Sequence, residues 1–268
     1  MDKPTLQPVT PVNPAAPYIG GKRLLSKRII QRINQTPHDA YVEPFVGMGG
    51  VFLRRNQQPR SEVINDINGE VANLFRILQR HYPQFMETLR FQITSRREFQ
   101  RLSRTDPSTL TDLERAARFL YLQRLAFGGK VSGQNFGVDH RGGRFNLLKL
   151  GPQLEEIHER MAGVTIENLT WQKLIERYDR PGTLFYLDPP YWGNEDDYGE
   201  AVFGREQFEE MAEVLGRLRG RFILSLNAVQ GVFETFSKFQ IEEVDCVYSV
   251  GGNGHSKPVK EVLIFGEG

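Results

Sequence analysis

The chain has 268 residues, 39% hydrophobic and 25% charged, enough for one large α/β domain with an inserted subdomain and ordinary for a soluble globular protein. No apolar run approaches a membrane span; the single cysteine, Cys246, excludes an internal disulfide and fits a reducing cytoplasm; the five scattered histidines give no metal-ligand spacing. The formal net charge of +1 conceals an asymmetry of +3 over residues 1–75, +6 over 76–160 and −8 over 161–268, so a polyanion would meet the middle of the chain most readily.

Met1–Pro17 lacks the apolar core of a signal peptide, and its five prolines make it an extended arm expected to pack little of its own. Lys22 to Asn34 places Leu25, Ile29, Ile30 and Ile33 at helical spacing. Ala40-Tyr41-Val42-Glu43 reads as a strand running into Gly47-Met48-Gly49-Gly50, and Glu62 to Asp66 as a second strand ending in an acid. A helix is predicted over Val71–His81. Ser95-Arg96-Arg97-Glu98 and Thr111-Asp112-Leu113-Glu114 are capping boxes that start two more, the second running to about Phe127. Gly128–Gly143 is too glycine-dense for a regular element. A short helix follows over Gln153–Met161, then strands at Val164–Glu167 and Thr183–Leu187, an amphipathic helix over Arg205–Leu218, a strand at Phe222–Leu226 and a closing hairpin from Gln240–Tyr248 and Val259–Phe265. Strands alternating with helices imply a parallel sheet, and the hairpin implies an antiparallel strand at its edge. The helical middle, 70–160, breaks the alternation and reads as a separate subdomain between 18–69 and 161–268.

Two clusters carry chemistry. Asp188-Pro189-Pro190-Tyr191 ends an apolar strand, where open α/β sheets bind ligands. A carboxylate and a rigid backbone carbonyl there suit methyl transfer to the exocyclic amine of a base. That nitrogen is a poor nucleophile, and two acceptors for its N–H bonds favour the pyramidal form and its developing positive charge. Tyr191 offers a face on which an extruded base can stack. Upstream, strand, glycine loop, second strand and acid form a nucleoside-binding logic, with Gly47 and Gly49 admitting close approach and Asp66 accepting from ribose hydroxyls. Phe52 stands where a dinucleotide fingerprint needs its third glycine, which argues against a nicotinamide-dependent oxidoreductase; Glu43 suits a sulfonium better than a pyrophosphate.

Together these residues resemble the Dam-like, D12-class DNA adenine methyltransferases over nearly the whole chain after the arm. Tyr18-Ile19-Gly20-Gly21-Lys22 is similar to the family's N-terminal motif, Glu43 to Gly49 to its cofactor loop, Asn65-Asp66-Ile67-Asn68 to its ribose-binding segment, Asp188 to Tyr191 to its catalytic motif, and Leu224-Ser225-Leu226-Asn227 to the strand lining its base pocket. The resemblance implies a Rossmann-like α/β fold, with a seven-stranded methyltransferase sheet and a helical target-recognition subdomain. It implies S-adenosylmethionine as cofactor, held by Tyr18, Lys22, Glu43, Phe45, Gly47, Gly49, Asp66, Ile67 and Asp188. It also implies double-stranded DNA as substrate, with an adenine flipped onto Asp188, Pro189 and Tyr191, Trp192 closing the base pocket, and neither metal nor membrane involved; a monomer on DNA is compatible with this. Candidate DNA contacts are Arg124, Lys130, Ser132, Gln134, Asn135, Arg141 and Arg144, with Gln134 and Asn135 addressing bases and Arg141 and Arg144 phosphates. The segment Trp192–Gly204, with Glu195, Asp196, Asp197 and Glu200, is a candidate lid.

Family members that read GATC carry aromatic-Asn-Gly-Leu-x-Arg where this chain has Phe127-Gly128-Gly129-Lys130-Val131-Ser132, so that specificity does not carry over. Ala228 stands where an acid commonly follows the asparagine. A cytosine amino-methyltransferase and an RNA adenine methyltransferase are each disfavoured by one residue, since such enzymes usually place Ser or Asn where Asp188 stands, and both stay open as alternatives. A non-catalytic DNA-binding module is a further alternative, opposed by the intact Asp188–Tyr191 motif.

Overall fold

A computed structural model describes residues 6–18, 20, 22, 25–131, 133–138, 142–193, 203–249 and 256–267. In chain order the elements are β1 (Gln7–Pro8), α1 (Ser26–Gln35), β2 (Ala40–Glu43), β3 (Gln57–Gln58), β4 (Ser61–Asn65), α2 (Gly69–Arg80), α3 (Tyr82–Leu89), α4 (Arg96–Arg104), α5 (Asp112–Leu125), α6 (Leu147–Arg160), β5 (Thr165–Glu167), α7 (Trp171–Tyr178), β6 (Thr183–Leu187), α8 (Glu206–Leu215), β7 (Arg221–Asn227), α9 (Gln230–Thr235), β8 (Gln240–Ser249) and β9 (Ser256–Glu267). No helix among the described residues is long and apolar enough to cross a membrane.

Seven strands form one sheet in the order β5-β4-β2-β6-β7-β9-β8. The pairs from β5 to β7 are parallel, and β9 runs antiparallel to both its neighbours. The chain builds outward from β2 through β4 to β5, then returns to the other side of β2 with β6. That reversal opens a crevice at the carboxyl ends of β2 and β6, the switch point where doubly wound sheets bind ligands.

Strand side chains alternate between two cores, as the period of two demands. Tyr41, Ile64, Leu184, Tyr186, Ile223 and Leu263 join the core under α1–α6, while Val42, Val63, Phe185, Leu187, Phe222 and Leu224 join the core under α7–α9. Continuing the first set to the strand ends puts Glu43, Asp188, Ser225 and Glu261 on one face of the sheet.

The helical middle shares the first core instead of enclosing one of its own: Phe85, Leu89, Phe99, Leu102, Leu120 and Leu154 belong to the same buried cluster as Tyr41 and Ile64. α5 runs through its centre, buried almost all round from Ala116 to Leu125, which is why its sequence shows little amphipathic contrast. Its start is a full capping box between Thr111 and Glu114. α6 begins at Leu147, capped by the Asn146 side chain, not at Gln153. Pro152 inside it removes only the bond to the Leu148 carbonyl, at a turn whose Leu148 is exposed.

The arm is extended but well packed. β1 pairs with β3, the Val12 amide donates to the Leu53 carbonyl at 2.8 Å, and Val12, Ala15 and Ala16 are buried. Non-proline residues between the prolines keep the N–H groups that make this pairing possible.

Candidate active site

A cavity of about 1020 Å³ opens at the switch point. Tyr18, Glu43, Phe45, Gly47, Asp66 and Ile67 line it on the β2–β4 side, and Lys22, Asp188 and Pro190 on the β6 side. These residues are brought to one place from four separate stretches of chain, whereas Gly49, Pro189 and Tyr191, also singled out in the sequence, are not among the residues that line the cavity.

Asp188 lies just beyond β6. Its Oδ1 accepts from Lys22 Nζ at 2.7 Å and from Ser225 Oγ at 3.0 Å, while Oδ2 accepts no hydrogen bond among the described residues. Burial pushes the Asp188 carboxyl up, and Lys22 pulls it back toward ionisation. Lys22 is fully buried and also donates to the Tyr191 hydroxyl at 2.6 Å, with its Nζ 4.1 Å from the Tyr191 ring centroid. The ammonium therefore sits at the hydroxyl end of that ring. Asn227 clamps the next residue, accepting from the Trp192 amide and donating to its carbonyl, both at 2.9 Å. The Trp192 ring packs against Phe208, over Gly231, which has no side chain to displace it, so the ring does not line the cavity.

On the β2–β4 side, Gly47 has φ +50°, and a Cβ there would come within 2.9 Å of the Tyr18 ring. Only glycine lets the turn pass beneath that ring. Gly49 is also left-handed, at φ +75°. Asp66 holds the turn: Oδ2 accepts from the Gly47 amide and Oδ1 from the Asn68 amide, both at 2.9 Å. Each oxygen keeps a second lone pair for a ligand hydroxyl. Burial raises the Asp66 carboxyl to about 6. Glu43, fully buried, accepts from the Tyr41 hydroxyl at 2.6 Å and is raised to about 8, mainly by burial, with Asp188 adding. The residues present fit a nucleoside carrying a positive charge: Asp66 offers two acceptors for ribose hydroxyls, Phe45 and Ile67 give apolar walls, and Glu43 gives a buried carboxyl toward a cation.

Gln123 and Glu261 of the site are marked by no motif in the sequence, and Asn65 and Ser225 fall inside stretches quoted there without a role of their own. Asn65 Nδ2 donates to the carbonyls of Pro44 (2.9 Å) and Leu169 (3.0 Å), tying two strand ends around the cavity. Buried Gln123 donates to the carbonyls of Pro17 (2.8 Å) and Gly129 (2.7 Å), joining the cavity's Tyr18 wall to the glycine-rich loop. Ser225 and Glu261 stand beside Asp188 and Lys22. Strand parity, counted back from the core residues, is the signal that would have found them.

Of the predicted DNA contacts, Ser132 and Arg141 lie outside the described residues, as do Glu195, Asp196, Asp197 and Glu200 of the candidate lid. Lys130 and Asn135 are exposed. The Gln134 amide donates to Gln123 Oε1 (3.1 Å) and to the Lys130 carbonyl (2.8 Å). Arg144 lies over Gly137 and donates to the Ala126 carbonyl at 3.3 Å. Arg124 donates to the Ala15 carbonyl and lines the cavity. These last three are engaged within the protein.

The strand order, with its antiparallel edge pair, is that of the Rossmann-like methyltransferases. The profile of the D12 class N6 adenine-specific DNA methyltransferase family matches residues 18–250, and the chain belongs to that family. Its reaction is methyl transfer to adenine in DNA. It is 26% identical to the Type II methyltransferase M1.LlaDCHI of Lactococcus lactis subsp. cremoris, over 96% of each chain. It is 24% identical to the DNA adenine methylase of Haemophilus influenzae, over 98% of this chain and 97% of that one. Against the DNA adenine methylase of Escherichia coli K12 the figure is 27%, over 92% of each.

Proposed function

We propose that the protein takes the methyl group from S-adenosylmethionine and places it directly on the exocyclic amine of an adenine flipped out of double-stranded DNA, at a preferred sequence. The observation that carries this is the Asp188 carboxylate, gripped by two donors on Oδ1 and unengaged at Oδ2, in a cavity shared with a ribose-type acid. When bound, the cofactor supplies a methyl group on a sulfonium, whose C–S bond breaks as the C–N bond forms, with the electron pair staying on sulfur.

The chain's own residues do the rest. Asp66 accepts from the ribose hydroxyls, while Tyr18, Phe45, Gly47, Gly49 and Ile67 shape the nucleoside pocket. Glu43 meets the cationic end. Asp188 Oδ2 and the Pro189 carbonyl accept from the amine, keep its nitrogen pyramidal and stabilise the charge that develops on it. The proline ring fixes that carbonyl's direction. The surplus proton then leaves the nitrogen through Oδ2. Tyr191 receives the base on a face of its ring. Lys22 stands between both substrates, with its charge on Asp188. Of the candidate DNA contacts among the described residues, Lys130 and Asn135 are the exposed ones, and they meet the DNA.

The test is base-resolved sequencing of a genome from cells expressing the protein, by a method that distinguishes modified bases. N6-methyladenine at one recurring short motif is expected. N4-methylcytosine, or no new modification, contradicts the proposal.

A further inference from the structure

The parity that puts Asp188 on the α1–α6 face of the sheet also puts Tyr186, Ser225 and Glu261 there. The Tyr186 and Ser225 hydroxyls are 3.0 Å apart, and Ser225 is 3.0 Å from Asp188 Oδ1. With Ser225 donating to the carboxylate, Tyr186 donates to Ser225, so this hydroxyl chain has one direction. Lys22 Nζ lies between two carboxylates, 2.7 Å from Asp188 Oδ1 and 3.7 Å from Glu261 Oε2. Side-chain exposure is 1% for Lys22 and 0% for Glu261, against 19% for Asp188 at the cavity, so little solvent screens Lys22 from Glu261.

A buried ammonium facing a single carboxylate is drawn fully onto it and cancels its charge. A second carboxylate near the ammonium shares it, so that Asp188 keeps part of its negative charge. That charge opposes the positive charge passing from sulfur to nitrogen in the reaction.

We propose that Glu261 and Ser225 are positioning residues for methyl transfer. Ser225 directly, and Glu261 through Lys22, hold Asp188 by Oδ1 and leave Oδ2, still negative, for the base amine. The inference rests on the role given to Asp188 above. Both residues act on a group that matters in the transition state, so their loss lowers the rate of transfer more than it weakens either substrate.

The test is single-turnover transfer at saturating S-adenosylmethionine and DNA, with both affinities measured separately, for the parent, E261Q, S225A and the double variant. E261Q is expected to lose about tenfold or more in rate, with both affinities within about threefold of the parent. S225A is expected to lose roughly fivefold to tenfold, and the double variant less than the product of the two losses, since both act on one carboxylate. Rates within about twofold of the parent for both single variants overturn the inference, as do losses confined to affinity. S225A removes one hydroxyl and leaves the charges whole, so it carries the test if E261Q does not fold: a parental rate in S225A then overturns the inference. A parent that methylates no adenine would overturn the proposed function instead, so the two failures are distinct.

Discussion

Glu43 is where burial and function oppose each other. Its carboxyl is raised to about 8, so near neutral pH it is mostly protonated in the free protein. A cation beside it favours the carboxylate, so binding of S-adenosylmethionine is expected to release a proton, and affinity to rise as pH increases from about 6.5 to 8.5. Calorimetry across that window measures both, and E43Q should abolish the pH dependence. Constant parental affinity would place the sulfonium away from Glu43. The stability effect has the opposite sign. A carboxyl raised from its ordinary 4.5 to about 8 contributes stability below the lower value and loses it as pH rises through the higher one. E43Q is therefore expected to melt above the parent at pH about 8.5, while binding the donor less well. Asp66 makes a second residue-level case. Its two oxygens hold the Gly47 and Asn68 amides and, as proposed, the ribose, so D66A should weaken donor binding by ~1.5–3 kcal/mol with a smaller effect on DNA. Unchanged donor affinity by calorimetry would move the ribose site elsewhere.

Among the elements, α5 joins the cavity's Tyr18 wall to the glycine-rich loop. Gln123 on this helix bonds the carbonyls of Pro17 and Gly129, and the two loops touch through their backbones. A Cβ on Gly129 would lie 3.1 Å from Pro17 C and Tyr18 N, at φ +70°. G129A therefore combines a left-handed strain of about 1–2 kcal/mol with a displacement of Tyr18. It is expected to lower donor affinity as well as DNA preference, and calorimetry with a randomised-pool methylation assay separates the two. Loss of preference alone would mean that the loops are uncoupled. Elements with caps or clean periodicity were legible in the sequence: Ser95 and Thr111 start α4 and α5 as their spacing indicates. The sequence shows α6 shorter than it is because Gly151-Pro152 looks like a break, whereas the proline falls at an exposed turn. α7 was overlooked although Trp171, Leu174, Ile175 and Tyr178 are at helical spacing and Thr170 caps them. The arm's packing was hidden because its partner strand, β3, is only Gln57–Gln58.

At the scale of the whole molecule, the strand order follows from alternation, and the crevice at the end of β2 and β6 follows from the strand order. The residues lining it were therefore readable one by one. Their pairing was not: Lys22 and Asp188 are 166 positions apart in the chain, and no local pattern says that the ammonium grips one carboxylate oxygen rather than facing the donor alone. With the basic middle of the chain on the DNA side, as proposed, DNA affinity is expected to fall as salt rises, with a slope of about −0.9 for each phosphate neutralised. K130A should reduce that slope by about one such unit, whereas N135A should instead relax preference at one base position. If neither variant changes DNA affinity or preference, recognition lies outside this loop.

The central claim, that Asp188 accepts from an adenine amine during direct transfer, is tested by single-turnover reactions with isotopically labelled S-adenosylmethionine and duplex DNA, followed by mass spectrometry of the released nucleosides. The parent is expected to yield labelled N6-methyladenine as the sole methylated base. D188A should yield none, and D188N little, while both stay folded and bind DNA. Either variant transferring within about tenfold of the parental rate, or label appearing on cytosine, would contradict the account.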